Sequence, residues 1–181
     1  MAPAHAGAGI SENAVMSTDP DLVEQAKQLL ETLRAKKLSV VTAESCTAGM
    51  LATLLSEAPG AAEHLHGGFI TYTKANKTRA LGVSCEVLAR RGAVCREVAI
   101  AMAEGALARS PAQLAVAITG VAGPDPDEDN NPVGLVCIAV AREGHPARHL
   151  ERRYGDIGRD GVRTQAIADA LSELKEMAAQ D

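Results

Sequence analysis

The sequence predicts one α/β domain, built as a three-layer α/β/α sandwich with a mixed sheet. Its 181 residues correspond to a single domain of ordinary size. Short apolar and β-branched runs alternate with longer segments whose apolar residues recur at helical spacing, as expected when helices cover a sheet. The runs at 133–141 and 147–154 are joined across Gly144-His145-Pro146. So short a connection predicts that part of the sheet is antiparallel.

Residues 1–17 are predicted to be a disordered N-terminal tail, and residues 18–181 a single folded domain. The tail is rich in Ala and Gly and has too few large apolar side chains to offset the entropy of ordering it. Asp19 is a suitable N-cap and Pro20 suits the first helical position, so the first helix is expected to begin there.

The same two patterns, apolar runs and helical spacing, justify the remaining elements. In order, they are a strand at 38–43, a helix at 47–55, a strand at 68–72, a helix at 75–81, a short helix capped by Ser84, a helix at 96–109, a strand at 114–118, the two hairpin strands and a helix at 160–178. The Gly- and Asp-rich segment 119–132 is a predicted loop after a strand, where functional residues often collect.

Composition excludes several classes of function. The net charge of −5 has the wrong sign for wrapping nucleic acid, and a chain with only two Tyr, one Phe and no Trp lacks platforms for stacking bases. Apolar residues make up 46% of the chain, so Ala, Val, Leu and Ile must fill the core. No apolar run reaches the ~18 residues of a membrane span, and no export signal is visible. We expect a cytoplasmic protein that binds neither nucleic acid nor membrane.

The four cysteines give no sign of a metal or redox site. Cys46, Cys85, Cys95 and Cys137 contain no C-x-x-C pair, so their spacing favours reduced thiols. Segment 125–131 begins like a calcium-binding loop, but Asn130 and Val136 stand where the glycine and the bidentate acid are required. A solvated acidic loop is therefore expected there.

Ser45 is the first candidate for chemistry, because it lies at a predicted turn between a buried strand and a helix. Backbone N–H groups and the helix dipole converge at such a turn and can stabilise an oxyanion. The alternative is that Ser45 or Thr47 only caps the helix. The surrounding Glu44-Ser45-Cys46 segment lacks the G-x-S-x-G pattern of α/β hydrolases.

A serine nucleophile needs a base, and the histidines offer no obvious one. They lie in the tail, in a predicted loop, or near the hairpin turn, where solvated positions are expected: His5, His64, His66, His145 and His149. Lys74 and Lys77 follow the second predicted strand, and burial can lower the pKa of a lysine towards neutrality. Tyr72 is placed to relay a proton or to orient the pair. The alternative is two exposed lysines and a core tyrosine.

Two further segments are candidates for substrate binding. Loop 119–125 brings glycines to the end of an apolar strand, so its backbone can approach a flat ring or a phosphate closely. Arg159 and Arg163 lie four residues apart at the start of the last helix, and two more arginines precede them at 152–153. This arrangement suits one phosphate, although surface arginines on a helix give the same pattern.

The order of these motifs resembles the CinA C-terminal domain family. The resemblance rests on segments 42–49 (TAESCTAG), 68–72 (GFITY) with Lys77 and Leu81-Gly82-Val83, 118–125 (ITGVAGPD) and 132–134 (PVG). It covers the chain from about residue 20 to the end. It implies a nicotinamide-nucleotide amidase that recycles pyridine nucleotides, working as a homodimer without metal or cofactor. The substrate would be nicotinamide mononucleotide, and the products nicotinate mononucleotide and ammonia.

The resemblance also assigns roles to residues. Ser45 matches the nucleophile, Lys77 the general base and Tyr72 the tyrosine of the same site. We expect the N–H groups of Cys46 and Thr47 to bind the oxyanion. The expected substrate-binding residues are Glu44, Thr119, Gly120, Gly123, Pro124 and Arg163.

Three features depart from the family pattern. Lys74 stands where many relatives carry Asn, and it either helps to lower the pKa of Lys77 or points outward. A Gly-Asp-Arg motif is spread over 155–159, and the N-terminal domain of fused relatives is not found, so its pyrophosphatase activity is expected to be absent. Two other hypotheses remain open: a non-catalytic nucleotide-binding or regulatory protein, and an amidase in which Cys46 is the nucleophile.

Overall fold

A computed structural model describes residues 19–180, which form seven helices and five strands. The elements are α1 (Pro20–Lys36), β1 (Val40–Glu44), α2 (Met50–Glu57), α3 (Ala61–His64), β2 (Leu65–Ile70), α4 (Lys74–Leu81), α5 (Cys85–Arg91), α6 (Arg96–Leu107), β3 (Leu114–Gly120), β4 (Leu135–Arg142), β5 (Arg148–Arg153) and α7 (Arg159–Ala179). The tail predicted at 1–17 lies outside the described residues. Within the described chain, every helix is too short or too polar to cross a membrane.

The five strands form one mixed sheet in the order β2-β1-β3-β4-β5. Strands β1, β2 and β3 are parallel, whereas β4 is antiparallel to both of its neighbours. The predicted α/β/α sandwich and the antiparallel hairpin are confirmed. Helix α2, after β1, packs on one face, and α4 to α6, after β2, pack on the other. The carboxyl ends of β1 and β3 therefore flank a point where the connections diverge, the usual ligand position in such sheets.

The two faces of the sheet carry side chains of different size. On β3, Leu114, Val116 and Ile118 face α1, α2 and α7, while Ala115 and Ala117 face α6. Helix α6 is itself Ala-rich, and small residues on both surfaces allow the helix to approach the sheet closely. An aromatic-poor core of this kind was predicted from composition.

Helix α4 is held in place by a glycine of α6. A Cβ on Gly105 would overlap the carbonyl oxygen of Leu81, so only glycine lets the two helices approach this closely. At the other end, Thr73 caps α4 by accepting a hydrogen bond from the N–H of Asn76. These contacts fix the helix that carries Lys77.

Several boundaries differ from the sequence predictions. The helix expected from residue 47 begins at Met50, because residues 45–49 form a turn. The strand expected at 68–72 lies at 65–70, where Gly67 and Gly68 obscure the alternating pattern. The short helix α3 was not predicted, and His64 at its end was wrongly expected to be solvated: it is buried, and its Nδ1 lies 2.9 Å from the Leu38 carbonyl oxygen.

Candidate active site

A cavity of about 370 Å³ opens at the carboxyl ends of β1, β2 and β3. It is lined by segments 45–46, 72–74, 93–94 and 119–123 together with Asp125, Asp127, Glu128 and Arg159. Segments 45–46 and 72–74 follow β1 and β2, and segment 119–123 includes the end of β3. The parallel arrangement therefore brings together parts of the chain that are distant in sequence.

The turn after β1 is organised by a buried carboxylate. Glu44 is 0% exposed. Its oxygens accept hydrogen bonds from Thr47 Oγ1 at 2.7 Å and from the N–H groups of Gly49, Leu51 and Ala52 at 2.9, 3.2 and 2.9 Å. Helix α2 has no cap from the side chain of its N-cap residue, so this carboxylate satisfies its first N–H groups.

Glu44 therefore has a different place from the one expected. Its carboxylate is absent from the cavity lining, and its hydrogen bonds are made within the protein. The expected role in substrate binding is replaced by a structural one, because the carboxylate shapes the turn that presents Ser45. The hydroxyl of Thr47 is likewise bonded to Glu44.

Ser45 and Lys77 meet at the buried side of the cavity. Lys77 Nζ donates to Ser45 Oγ at 2.8 Å and to the Thr71 carbonyl oxygen at 2.6 Å. The N–H of Ser45 donates to the Ile118 carbonyl oxygen at 2.9 Å, which joins the turn to β3. The structure thus brings together two side chains that the resemblance paired, 32 positions apart in sequence.

Burial changes the acid–base behaviour of Lys77. The side chain is 0% exposed, and burial lowers the pKa of its amine to about 8, with a smaller opposing effect from Cys46. Within residues 19–180 the amine has hydrogen bonds but no carboxylate partner, so the loss of water is the dominant effect on its pKa. With this pKa, roughly a tenth of the amine is unprotonated at pH 7 and about half at pH 8.

Of the two residues predicted to bind the oxyanion through their N–H groups, Cys46 lines the cavity and Thr47 does not. In the described chain neither Cys46 nor Thr47 donates its N–H to another backbone carbonyl, whereas Ser45 and Ala48 both do. Arg163 Nε donates to the Cys46 carbonyl oxygen at 2.8 Å. Because C=O and N–H point in opposite directions across a trans peptide, this contact also fixes the direction of the Thr47 N–H.

Cys46 lines the same cavity, but its thiol is poorly suited to be a nucleophile. Burial raises the pKa of the Cys46 thiol to about 11, with a smaller opposing effect from Arg163. The thiolate is the reactive form of cysteine and is scarce at neutral pH under these conditions. The geometry therefore favours the neighbouring hydroxyl, which has an amine beside it.

The loop after β3 supplies the opposite wall of the cavity. Thr119, Gly120 and Gly123 line the cavity, whereas the exposed Pro124 does not. The hydroxyl of Thr119 donates to the Ala93 carbonyl oxygen at 2.9 Å, so it holds the turn between α5 and α6 against the cavity.

Tyr72 lies at the open side of the cavity. Tyr72 is 61% exposed, so it is not the core tyrosine of the alternative interpretation. Within the described chain its hydroxyl makes no hydrogen bond with Ser45 or Lys77, so a direct proton relay is not formed in this state. The ring is instead available to a molecule in the cavity.

The arginine that faces the cavity is not the one expected. Arg159 lines the cavity, whereas Arg163, one helical turn further along α7, holds the Cys46 carbonyl. Arg152 pairs with Asp169 at 2.8 Å and is occupied elsewhere. Within the described part of the chain, Arg159 has no hydrogen bond or ion pair, which suits a residue that receives an anionic group.

Lys74 ties the acidic loop to helix α4. Its Nζ lies 2.7 Å from Asp129 Oδ1 and 3.0 Å from Glu128 Oε1, and Asp129 Oδ2 accepts from the Ala93 N–H at 3.1 Å. Lys74 therefore points to the loop and has no part in lowering the pKa of Lys77. Asp129 stays exposed, as predicted for this acidic loop, although Lys74 and the Ala93 N–H bind its carboxylate. Between residues 19 and 180, His, Cys, Asp and Glu side chains form no group of three suited to a metal ion.

The fold and the site define an α/β protein with a buried Ser–Lys pair at the carboxyl edge of parallel strands. The family model described as the CinA C-terminal domain matches residues 23–178. The chain belongs to this family, as its motifs indicated.

Relatives with known names agree with this assignment. The chain is 40% identical over 158 residues to the nicotinamide-nucleotide amidohydrolase PncC of Escherichia coli, covering 87% of this chain and 94% of that protein. It is 42% identical over 167 residues to a putative competence-damage inducible protein of Symbiobacterium thermophilum, but spans only 38% of that protein. A crystal structure of the competence/damage inducible protein CihA from Agrobacterium tumefaciens superposes with a TM-score of 0.84 at 42% identity, covering 88% of this chain and 96% of that chain.

Proposed function

We propose that this protein is an amidohydrolase that converts nicotinamide mononucleotide into nicotinate mononucleotide and ammonia. The observation that carries the proposal is the 2.8 Å contact between Ser45 Oγ and the buried Lys77 Nζ, because the pair joins a nucleophile to a base that is partly unprotonated. The substrate class is supported by relatives in Escherichia coli and Pseudomonas putida that are named nicotinamide-nucleotide amidohydrolases.

Acylation begins with the neutral Lys77 amine. In this form one N–H still donates to the Thr71 carbonyl, and across the 2.8 Å contact the direction reverses, so that the Ser45 O–H donates to the amine lone pair. Ser45 Oγ attacks the carboxamide carbon as its proton passes to Lys77 Nζ. The developing oxyanion receives hydrogen bonds from the N–H groups of Cys46 and Thr47, an interaction worth roughly 3 kcal/mol of barrier for each donor.

The leaving group then departs as ammonia. Lys77 returns the proton to the amide nitrogen, the carbon–nitrogen bond breaks, and an ester forms between Ser45 Oγ and the nicotinoyl group. A water molecule attacks this ester, Lys77 accepts the water proton, and the proton returns to Ser45 Oγ as the acid product forms. One water is consumed and one ammonia released, and no redox step is required.

Substrate binding uses the cavity wall that faces this pair. The glycine-containing loop 119–123 lies where a flat pyridine ring can approach the backbone. The exposed ring of Tyr72 offers a π face to the cationic pyridinium, and Arg159 offers a bidentate donor to the phosphate. Arg163 acts indirectly in this scheme, because it orients the Cys46–Thr47 peptide.

The test is ammonia release by the purified full chain with nicotinamide mononucleotide. Ser45→Ala and Lys77→Met should each lose at least about a thousandfold in kcat, the scale typical of removing a nucleophile or its base. Lys74→Met removes a lysine from the same helix and should lose much less. Cys46→Ala keeps the backbone N–H and should turn over far faster than Ser45→Ala.

Other outcomes would identify the alternatives. Ligand-induced stabilisation of the wild type without ammonia release would indicate a nucleotide-binding or regulatory protein. Turnover by Ser45→Ala with loss in Cys46→Ala would make Cys46 the nucleophile. The proposal also includes a homodimer, a cytoplasmic location, no cofactor and no nucleic-acid partner. Sedimentation of the purified chain tests the dimer directly.

A further inference from the structure

The cavity lining contains five side chains that carry formal charge: Lys74, Asp125, Asp127, Glu128 and Arg159. Lys74 forms ion pairs with both Glu128, at 3.0 Å, and Asp129, at 2.7 Å.

Asp127 is occupied within its own loop. Its Oδ1 accepts from the N–H groups of Asp129 and Asn131, and its Oδ2 accepts from Asn131 Nδ2, at 2.8–3.0 Å. Three of the five charged groups are therefore already bound inside the protein.

Asp125 and Arg159 are the remaining two. Within residues 19–180 neither makes a hydrogen bond or an ion pair, although both line the cavity that contains Ser45. The cavity therefore offers one uncommitted anion and one uncommitted cation. This arrangement matches a ligand that carries both charges, with a phosphate for the arginine and a positive group for the aspartate.

We propose that Asp125 is a specificity residue: its carboxylate attracts the positively charged pyridinium ring, and so it favours binding of the amide substrate over the acid product. The inference rests on the proposed function. Hydrolysis leaves the ring cationic but converts its carboxamide into a carboxylate. Asp125 therefore attracts the ring of both ligands, but it also repels the carboxylate of the product. The attraction and the repulsion nearly cancel for the product, which weakens its binding and promotes its release.

Equilibrium binding in the Ser45→Ala background tests this inference, because no ligand is consumed. The three ligands are nicotinamide mononucleotide, its dihydropyridine form with an uncharged ring, and nicotinate mononucleotide. Adding Asp125→Asn should weaken binding of the first about three- to tenfold, the effect of one unit charge in largely aqueous surroundings, and change the other two by less than about twofold. Raising the salt concentration should shrink this preference.

Two controls separate charge from structure. Asp125→Glu keeps the charge and should restore most of the preference, whereas Glu31→Gln makes the same charge change on an exposed part of α1 and should have no effect. Equal losses for all three ligands, or no change for any of them, would overturn the inference. Failure of the proposed function would look different, since wild-type protein would then release no ammonia from the first ligand.

Discussion

Replacing Lys77 with methionine should remove activity and, at the same time, change how stability depends on pH. Burial lowers the pKa of Lys77 from 10.5 to about 8. Each tenfold change in a protonation equilibrium is worth about 1.4 kcal/mol, so holding this amine in the fold costs about 3 kcal/mol at pH 7. The methionine side chain has a similar length and no charge, but it cannot make the hydrogen bond to the Thr71 carbonyl, a loss of about 1–2 kcal/mol.

The sign of the pH effect follows from the direction of the shift. Between pH 8 and 10.5 the unfolded chain binds a proton that the native lysine has lost, so wild-type stability rises with pH in that window. Lys77→Met lacks this rise. The difference in the free energy of unfolding between wild type and variant should shift by about 2–3 kcal/mol in favour of the wild type between pH 7 and pH 10.

Urea unfolding at several pH values, with reductant for the free cysteines, measures this difference. Lys74→Met is the matched control. Ion pairs raise the pKa of Lys74, so Lys74 does not contribute to the rise in stability between pH 8 and 10.5, and the Lys74→Met variant should keep that rise. Parallel stability curves for wild type and Lys77→Met would refute the claim that the amine is buried without a compensating charge.

Three further results are expected. The value of kcat/KM should rise about tenfold per pH unit up to about pH 8 and level off above it, because Lys77 acts in its unprotonated form; a flat profile from pH 6 to 9 would contradict this. Glu44→Gln replaces a buried carboxylate that accepts four hydrogen bonds. It should lower the free energy of unfolding by about 3 kcal/mol, measured by chemical denaturation, and reduce kcat in the ammonia assay. Gly105→Ala would push α4 away from α6, cost about 1–3 kcal/mol of stability and lower kcat, and unchanged activity would show that Lys77 does not depend on this contact.

The layered architecture could be predicted because its signals are local. The apolar runs at β1 and β3 and the spacing in α1, α6 and α7 each report their own environment, and the short hairpin connection reports strand direction. The boundaries near the site were less predictable. There, Glu44 bonds to residues up to eight positions ahead and converts the start of a helical pattern into a turn.

The site could be located only in part. The position of Ser45 followed from a strand-to-helix junction, but α4 is short and polar, and its sequence does not separate Lys77 from Lys74. Which lysine is buried depends on contacts with Thr71 and on the fit of Gly105 against Leu81. Arg159 and Arg163 lie one helical turn apart, and only the docking of α7 decides which one lines the cavity.

The proposed mechanism requires the Ser45 hydroxyl, activated by Lys77, to form an ester with the substrate. Mass spectrometry of protein quenched in acid during the first turnover would detect this ester. Wild-type protein should carry an adduct with the mass of nicotinamide mononucleotide minus ammonia, located on the peptide that contains Ser45 and absent from Ser45→Ala and Lys77→Met. An adduct on the Cys46 thiol, or turnover by Ser45→Ala at the wild-type rate, would contradict the proposed ester on Ser45.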